Sequence, residues 1–296
     1  MLFYLSGHVE LHIIKCKWMI TLVPIGGLAN RMRTIDSAIA LAIEADVGLR
    51  IIWYKTHGLN CRFDELFQPI PDGNVTLKEA SVIDWLINDN PRKKNFYLPR
   101  PFQWMRFDDC IYVDEADECV NNGFDFRKWA RQNSVYLTSC VDFFHSDIKK
   151  KYSSFMPISC LQEQINRKTA SFNEHTIGIH IRRTDNVTSI KESPTQLFID
   201  QIKKEIDDCP EANFYLASDS QEDKKVLLSV FGSRITTSDK VADRNSISGM
   251  QDALVEMYTL AQTTKILGSA WSSYSTTAAQ LNGIDCIILK NRMNGS

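Results

Sequence analysis

Short apolar runs alternate with helical stretches through the second half of the chain, and this alternation limits the fold more than any other feature. Residues 176–181 (Thr-Ile-Gly-Ile-His-Ile) read as a strand. A helix follows at 195–205, led by Ser193 and Pro194 as a cap and a first-turn proline. Next come a strand at 213–217, a helix at 221–231, a helix at 249–262, a strand at 265–267, a helix at 272–281 and a strand at 285–289. Such alternation predicts parallel strands joined by crossover helices, a doubly wound α/β sheet. The first half opens in the same way. A strand at 20–24 meets Gly26-Gly27, a helix runs from 28 to 46 with Ile35, Ala38, Ile39, Leu41, Ala42 and Ile43 on its apolar face, and a strand follows at 49–53. From 60 to 140 the pattern yields short strands and loops without a legible order. The polar stretch 150–175 separates the two patterns, and the expected domains are 1–165 and 166–296.

In open α/β sheets ligands bind beyond the carboxyl ends of the strands. Polar residues gather at three such ends, 180–185, Ser218-Asp219 and 269–273, and together they predict one crevice. The strongest cluster is His180-Ile181-Arg182-Arg183-Thr184-Asp185. Two arginines closing a buried strand suit a diphosphate, because the guanidinium fork is always charged and matches phosphate oxygens. Asp185 would orient an arginine or take a sugar hydroxyl. A structural Arg–Asp ion pair is the alternative reading, and the residues alone leave it open. The second cluster is Gly26-Gly27-Leu28-Ala29-Asn30-Arg31. Glycines there let backbone approach a ligand at a helix N-terminus, although tight turns use such pairs without any ligand. The spacing is neither G-x-G-x-x-G nor a Walker A loop, which disfavours nicotinamide cofactors and P-loop kinases.

Bulk properties narrow the partners. A hydrophobic fraction of 44%, a charged fraction of 24% and a net charge of −2 describe a globular chain without the basic excess of a nucleic-acid binder. Lys149–Lys151 reads as a solvated run. The eight cysteines include no Cys-x-x-Cys pair, so buried free thiols are expected rather than a zinc site or a disulfide framework. Residues 1–18 are too short and polar for a membrane span, so any association with a membrane would be peripheral. Met19 directly precedes the first strand, which leaves 1–18 as a late-start artefact or a loose extra strand. Two sequons, Asn74-Val75-Thr76 and Asn186-Val187-Thr188, match the glycosylation pattern, the second beside the expected crevice. Core packing is the expected role for Trp53, Trp104 and Trp129, whereas Trp271 beside the serine turn is a stacking candidate.

His180-Ile-Arg-Arg-Thr-Asp185 resembles the H-x-R-R-x-D motif of the fucosyltransferase superfamily. Gly26-Gly-Leu-Ala-Asn-Arg31 is similar to the G-G-L-G-N-Q opening of bacterial α-1,2 members, with Ala29 and Arg31 departing from it. Phe214-Tyr-Leu-Ala-Ser-Asp219, Leu260-Ala-Gln262 and Trp271-Ser-Ser273 resemble the later motifs. The resemblance spans 176–283 and, more loosely, 20–70; from 75 to 170 nothing matches. It implies a GT-B arrangement of two Rossmann-like domains facing across a cleft, with GDP-fucose held mainly by the second. By motif position Arg182 would hold the β-phosphate with Arg183 in support, and His180 would sit near guanine. Glu256 would face guanine, with Asp252 as the other acidic candidate. Asp219 would lie near ribose or guanine, and Ser272 and Ser273 near the phosphates. Gly26, Gly27, Asn30 and Arg31 would border the donor. Arg182 and Asp185 are the expected catalytic residues. The base has no clear match, since Ile190 falls near its place, and Glu192 is the substitute.

The expected reaction is inverting and metal-independent transfer of fucose from GDP-fucose to a glycan hydroxyl. No Asp-x-Asp pair offers a divalent-ion clamp, so no cofactor or metal is expected and arginine takes that part. The partners are a GDP-sugar and a glycan acceptor, without nucleic acid. The absence of an N-terminal anchor pattern favours a bacterial, cytoplasmic enzyme. Another nucleotide sugar, or a non-catalytic sugar-nucleotide or glycan-binding protein, stays as the alternative.

Overall fold

The computed structural model describes residues 18–183, 187–240 and 243–291. The first sheet holds β1 (Met19–Pro24), β2 (Gly48–Trp53), β3 (Val75–Glu79), β4 (Asp109–Ile111) and β5 (Ser134–Ser139). All pair in parallel in the order β3-β2-β1-β5-β4. The second sheet holds β6 (Thr176–Ile181), β7 (Asn213–Ser218), β8 (Ile235–Thr237), β9 (Lys265–Ser269) and β10 (Asp285–Leu289), parallel in the order β10-β9-β6-β7-β8. Every residue of β6 is buried, as are the last five of β1, because helices cover both faces of these central strands.

The helices are α1 (Leu28–Ala45), α2 (Val82–Ile87), α3 (Pro99–Arg106), α4 (Val113–Asn121), α5 (Phe126–Ala130) and α6 (Ser159–Thr169) on the way to β6. They continue as α7 (Val187–Glu192), α8 (Thr195–Asp208), α9 (Gln221–Phe231), α10 (Ile247–Leu260) and α11 (Ser273–Asn282). In each sheet the strand order reverses beside the first strand, between β1 and β5 and between β6 and β9. Crossovers leave in opposite directions at those points, which opens a crevice at the strand ends.

The two sheets share a core. Helix α6 lies across the expected domain boundary and packs on α10, while α1 packs on α11. Phe155, Leu161 and Ile165 thereby join Tyr215, Met250 and Leu254 in one apolar cluster. Each such side chain fully removed from water contributes about 1.5–3 kcal/mol, enough to fix how the halves face each other.

Several local expectations need correction. Helix α10 begins at Ile247 because the Ser246 hydroxyl accepts from the Gly249 N–H at 3.1 Å. Ser193 does not cap α8; its hydroxyl donates to the Leu289 carbonyl and accepts from the Ala270 N–H, tying β10 to the turn after β9. Lys149 and Lys151 are not a solvated run, since they pair with Asp36 and Asp142 and fasten their loop to the first half. Trp53 and Trp129 are buried, but Trp104 is exposed. The seven described cysteines are free, and most are half-buried rather than buried. Asp185, Asn186 and residues 1–17 lie outside the described residues. Among those described, no helix is long and apolar enough to cross a membrane.

Candidate active site

The strand ends of both sheets open on one cleft of about 400 Å³. From the first sheet come Gly27, Leu28, Ala29 and Asn30, the turn after β1 and the start of α1. Gly26 makes that turn possible with φ +84, a region L side chains avoid, and a Cβ there would meet the Asn30 side chain at 2.8 Å. Gly27 caps α1 with no side-chain hydrogen bond, and no acidic residue occupies the first turn. The free N–H groups of α1 therefore face the cleft. On the opposite side Ser272 caps α11 without a side-chain bond, again with no acid in the first turn. The Ser273 hydroxyl donates to Asn30 Oδ1 at 2.8 Å, latching these two helix starts together. Two positive helix ends converge on one cleft, which suits a multiply charged anion.

Arg182 closes β6 and lines the same cleft. Its guanidinium donates to Asp219 at 2.7 Å, and its backbone N–H donates to the Ser269 hydroxyl at 3.0 Å. Asp219, at the end of β7, also accepts from the Arg183 N–H at 2.8 Å. The carboxylate thus sets the direction of Arg182 into the cleft. His180 stacks on Tyr274, with ring centroids 4.6 Å apart, and Nδ1 has no hydrogen-bond partner among the described residues. Burial pushes its pKa down to about 4, against the pull of Asp219, so the imidazole is neutral. Glu256 enters from α10, half-buried, and burial pushes its pKa up to about 7. Asp252 lines the cleft one turn earlier and is paired with Lys240. Trp271 sits at φ +58, an unusual conformation for a bulky residue, and projects at the cleft with 70% exposure.

A second cavity of about 620 Å³ continues toward the first sheet. Gly27, Gly58, Asp219, Asp243 and Arg244 line both spaces, so the two meet there. The walls of the second hold Asp89, Asn90, Arg92 and Tyr54. Asp89 is buried and accepts from the Arg92 guanidinium at 2.9 Å, the Asn95 amide at 3.0 Å and the Asn90 N–H at 2.8 Å. Burial nevertheless raises its pKa above the usual carboxylate range. The buried Asn90 Oδ1 has no partner among the described residues. Loop contacts close this region: the Asn60 side chain donates to the Asn245 carbonyl at 2.9 Å, and the Gly58 N–H donates to Asn245 Oδ1 at 3.1 Å. Among the described residues no three His, Cys, Asp or Glu side chains converge as metal ligands would.

No family model matches this sequence, and no curated protein matches it. By structure, the chain is similar to the NodZ α-1,6-fucosyltransferase co-crystallised with GDP, at 17% identity and a TM-score of 0.61, over 89% of this chain and 92% of that one. The fucosyltransferase NodZ from Bradyrhizobium is similar at 17% identity and a TM-score of 0.61, over 89% and 93%. POFUT1 in complex with GDP is similar at 11% identity and a TM-score of 0.58, over 93% and 99%. The fold is GT-B-like. Its two Rossmann-like sheets face each other across the cleft described above.

Within this GT-B-like frame the expected site residues divide. His180, Arg182, Asp219, Asp252, Glu256, Ser272, Ser273, Gly27 and Asn30 line the cleft, while Gly26 lines the second cavity. Three others lie outside the cleft. Arg183 lines neither space, because its guanidinium turns to Asp223 at 3.1 Å and Thr195 at 3.2 Å, joining α8 to α9. Arg31 borders only the second cavity, and its guanidinium lies over the Trp53 ring. Its donors go to the Gly26 and Tyr54 carbonyls and the Thr56 hydroxyl, and burial lowers its pKa to about 10. It braces the glycine turn. Glu192 lines neither space, and its backbone carbonyl accepts from the Asn291 N–H at 2.7 Å. Sequence reading missed Asp89, Asn90, Asp243, Arg244 and Tyr274. The stacking of Tyr274 on His180 follows from its place just past the serine turn, but Asp89 lies where no periodicity speaks.

Proposed function

We propose that the chain is a fucosyltransferase that moves fucose from GDP-fucose to a glycan hydroxyl by a single inverting displacement, without a metal ion. The observation that carries this reading is Arg182, aimed by Asp219 into a cleft that the bare N-termini of α1 and α11 also enter. NodZ has been crystallised with GDP and soaked with GDP-fucose, and POFUT1 has been crystallised with GDP-fucose, which supports this donor for the shared fold. In this reading the diphosphate lies between the helix ends and Arg182. As the glycosidic bond breaks, negative charge grows on the leaving phosphate, and fixed donors there stabilise the transition state more than the ground state. Guanine lies toward Glu256, whose carboxylate accepts from N1–H and the exocyclic amine, beside the neutral His180. The sugar occupies the junction of the two spaces, and the acceptor enters through the second.

The base follows from elimination among the carboxylates of that second cavity. Asp219 serves the donor side, where it orients Arg182, and Asp243 is exposed with its pKa held low by hydrogen bonds from Ser246 and the Asn245 N–H. Asp89 is the buried one with a raised pKa, and we assign it the acceptor's proton. The free thiols are consistent with a reducing compartment and thus with a cytoplasmic enzyme.

Calorimetric titration with GDP, UDP and ADP in EDTA tests the donor site. Selective GDP binding is expected; tighter binding of UDP or ADP would mean another donor, and no binding at all would remove the reading. Glu256 adds a pH signature. Binding guanine requires its carboxylate, so GDP affinity should fall about ten-fold per pH unit below about 7. Glu256→Gln should weaken GDP and flatten that limb, which separates it from titration of the phosphate. Because folding raises this pKa, ionisation lowers stability as pH rises through about 7. The same variant should therefore melt higher than the parent at alkaline pH.

A further inference from the structure

Between β3 and β4 the chain makes an excursion, 81–106, whose surface is unlike the rest. Val82, Ile83, Phe96, Leu98, Trp104 and Met105 are 62% to 86% exposed, and no other described stretch of this length holds as many exposed large apolar side chains. The same stretch carries five cations, Arg92, Lys93, Lys94, Arg100 and Arg106, against two acids, Asp84 and Asp89. Both acids are buried and hydrogen-bonded, Asp84 to Lys78, Ser81 and Asn88, and Asp89 to Arg92 and Asn95. The outward charge is therefore positive, on a chain whose net charge is −2.

This exposure is built into the fold. Phe96 and Tyr97 adopt φ 52 and 56, where bulky side chains are rare. Asn95 holds them there: its side chain accepts from the Arg92 N–H at 2.9 Å and donates to the Asn90 carbonyl at 2.9 Å. Buried Gln103 donates to the Ile87 and Asp89 carbonyls, fixing α3 against the end of α2. Protruding aromatic and aliphatic side chains set among lysines and arginines match the interface of an anionic bilayer, where rings sit among headgroups and cations meet phosphate. A second copy docked through the same face would set its positive charges, Lys93 and Lys94 among them, against their own copies, which disfavours a symmetric dimer.

We propose that the 81–106 face docks on an anionic lipid bilayer. Asp89, Asn90 and Arg92 belong to this excursion and line the second cavity, so docking brings the acceptor entrance to the lipid surface. A corollary, which rests on the transferase reading, is that the acceptor glycan is carried on a lipid. The docking itself does not rest on that reading.

Sedimentation with vesicles of phosphatidylcholine, with and without phosphatidylglycerol, tests it. The protein should pellet with the anionic vesicles only, and high salt should release it. Lys93→Ala with Lys94→Ala should lower the partition about 25-fold, at roughly five-fold per cation. Phe96→Ser with Trp104→Ser should lower it at low salt as well, and GDP affinity should be unchanged in both double variants. That last measurement keeps failure of docking distinct from failure of the donor site. Three results would overturn the proposal: no pelleting, equal pelleting on neutral vesicles, or a concentration-dependent dimer dispersed by the same substitutions.

Discussion

Arg182→Ala is expected to lower kcat/KM for transfer by about 10²–10³-fold, the effect of removing one fixed donor from developing negative charge. GDP affinity should fall as well, by about 1.5–3 kcal/mol for a charge-assisted hydrogen bond. The substitution has a second consequence. Asp219, with a side chain only 8% exposed, loses its ion-pair partner at 2.7 Å. Removing one partner of a buried ion pair can cost about 3–5 kcal/mol of stability, so the variant must be shown to be folded. Arg182→Lys resolves the ambiguity, since it keeps the charge near Asp219 and loses only the planar fork. It should melt close to the parent, bind GDP at an intermediate level and remain well below parent turnover. A folded Arg182→Ala protein with unchanged turnover would remove Arg182 from the reaction.

The contrast between Arg182 and Arg183 shows where sequence reading stops. Both close the same strand, and residue type favours either for phosphate. Successive side chains at a strand end point to opposite faces, so only one can enter the cleft. Arg182 does, and Arg183 joins α8 to α9. Nothing in the composition of the pair says which. Arg31 turns away from the cleft for a related reason: it sits one turn into α1 on the buried face, where the Gly26 carbonyl before the helix and the Tyr54 carbonyl after β2 take its donors.

Strands β6, β7 and β9 were legible because each is a short, largely buried apolar run bounded by polar turns, whereas β8, three residues with one buried, escaped the pattern. The limits of α9 and β10 match their sequence pattern residue for residue. Between 60 and 140 the physics differs. Strand β3 is an edge strand with alternating burial, β4 has three residues, and most of the helices there are shorter than ten. Elements of that size take their conformation from tertiary packing rather than from local periodicity. Asp89, Asn90 and Arg92 of the second cavity come from this region, and they stayed hidden while the first cleft could be anticipated from strand ends.

Asp89→Asn should separate chemistry from donor binding. The residue is buried in the second cavity, away from the cleft that Arg182 lines, so GDP affinity should remain within about two-fold of the parent. Turnover should fall about 10²–10⁴-fold, the usual contribution of a positioned base. The pH profile supplies a sharper readout. A base must be ionised to act, and burial raises this carboxylate's pKa, so parent turnover should fall on the acid side earlier than an ordinary aspartate would allow. Asparagine removes that limb and leaves a flat, low profile. Loss of the Arg92 contact could also loosen the loop, since Asp89 accepts from Arg92, Asn95 and the Asn90 N–H. Arg92→Ala controls for this: it breaks the same loop contact but keeps the carboxylate, so the acid limb should persist. If Asp89→Asn turns over at the parent rate while Asp243→Asn loses activity, the proton goes to Asp243, at the junction of the two spaces.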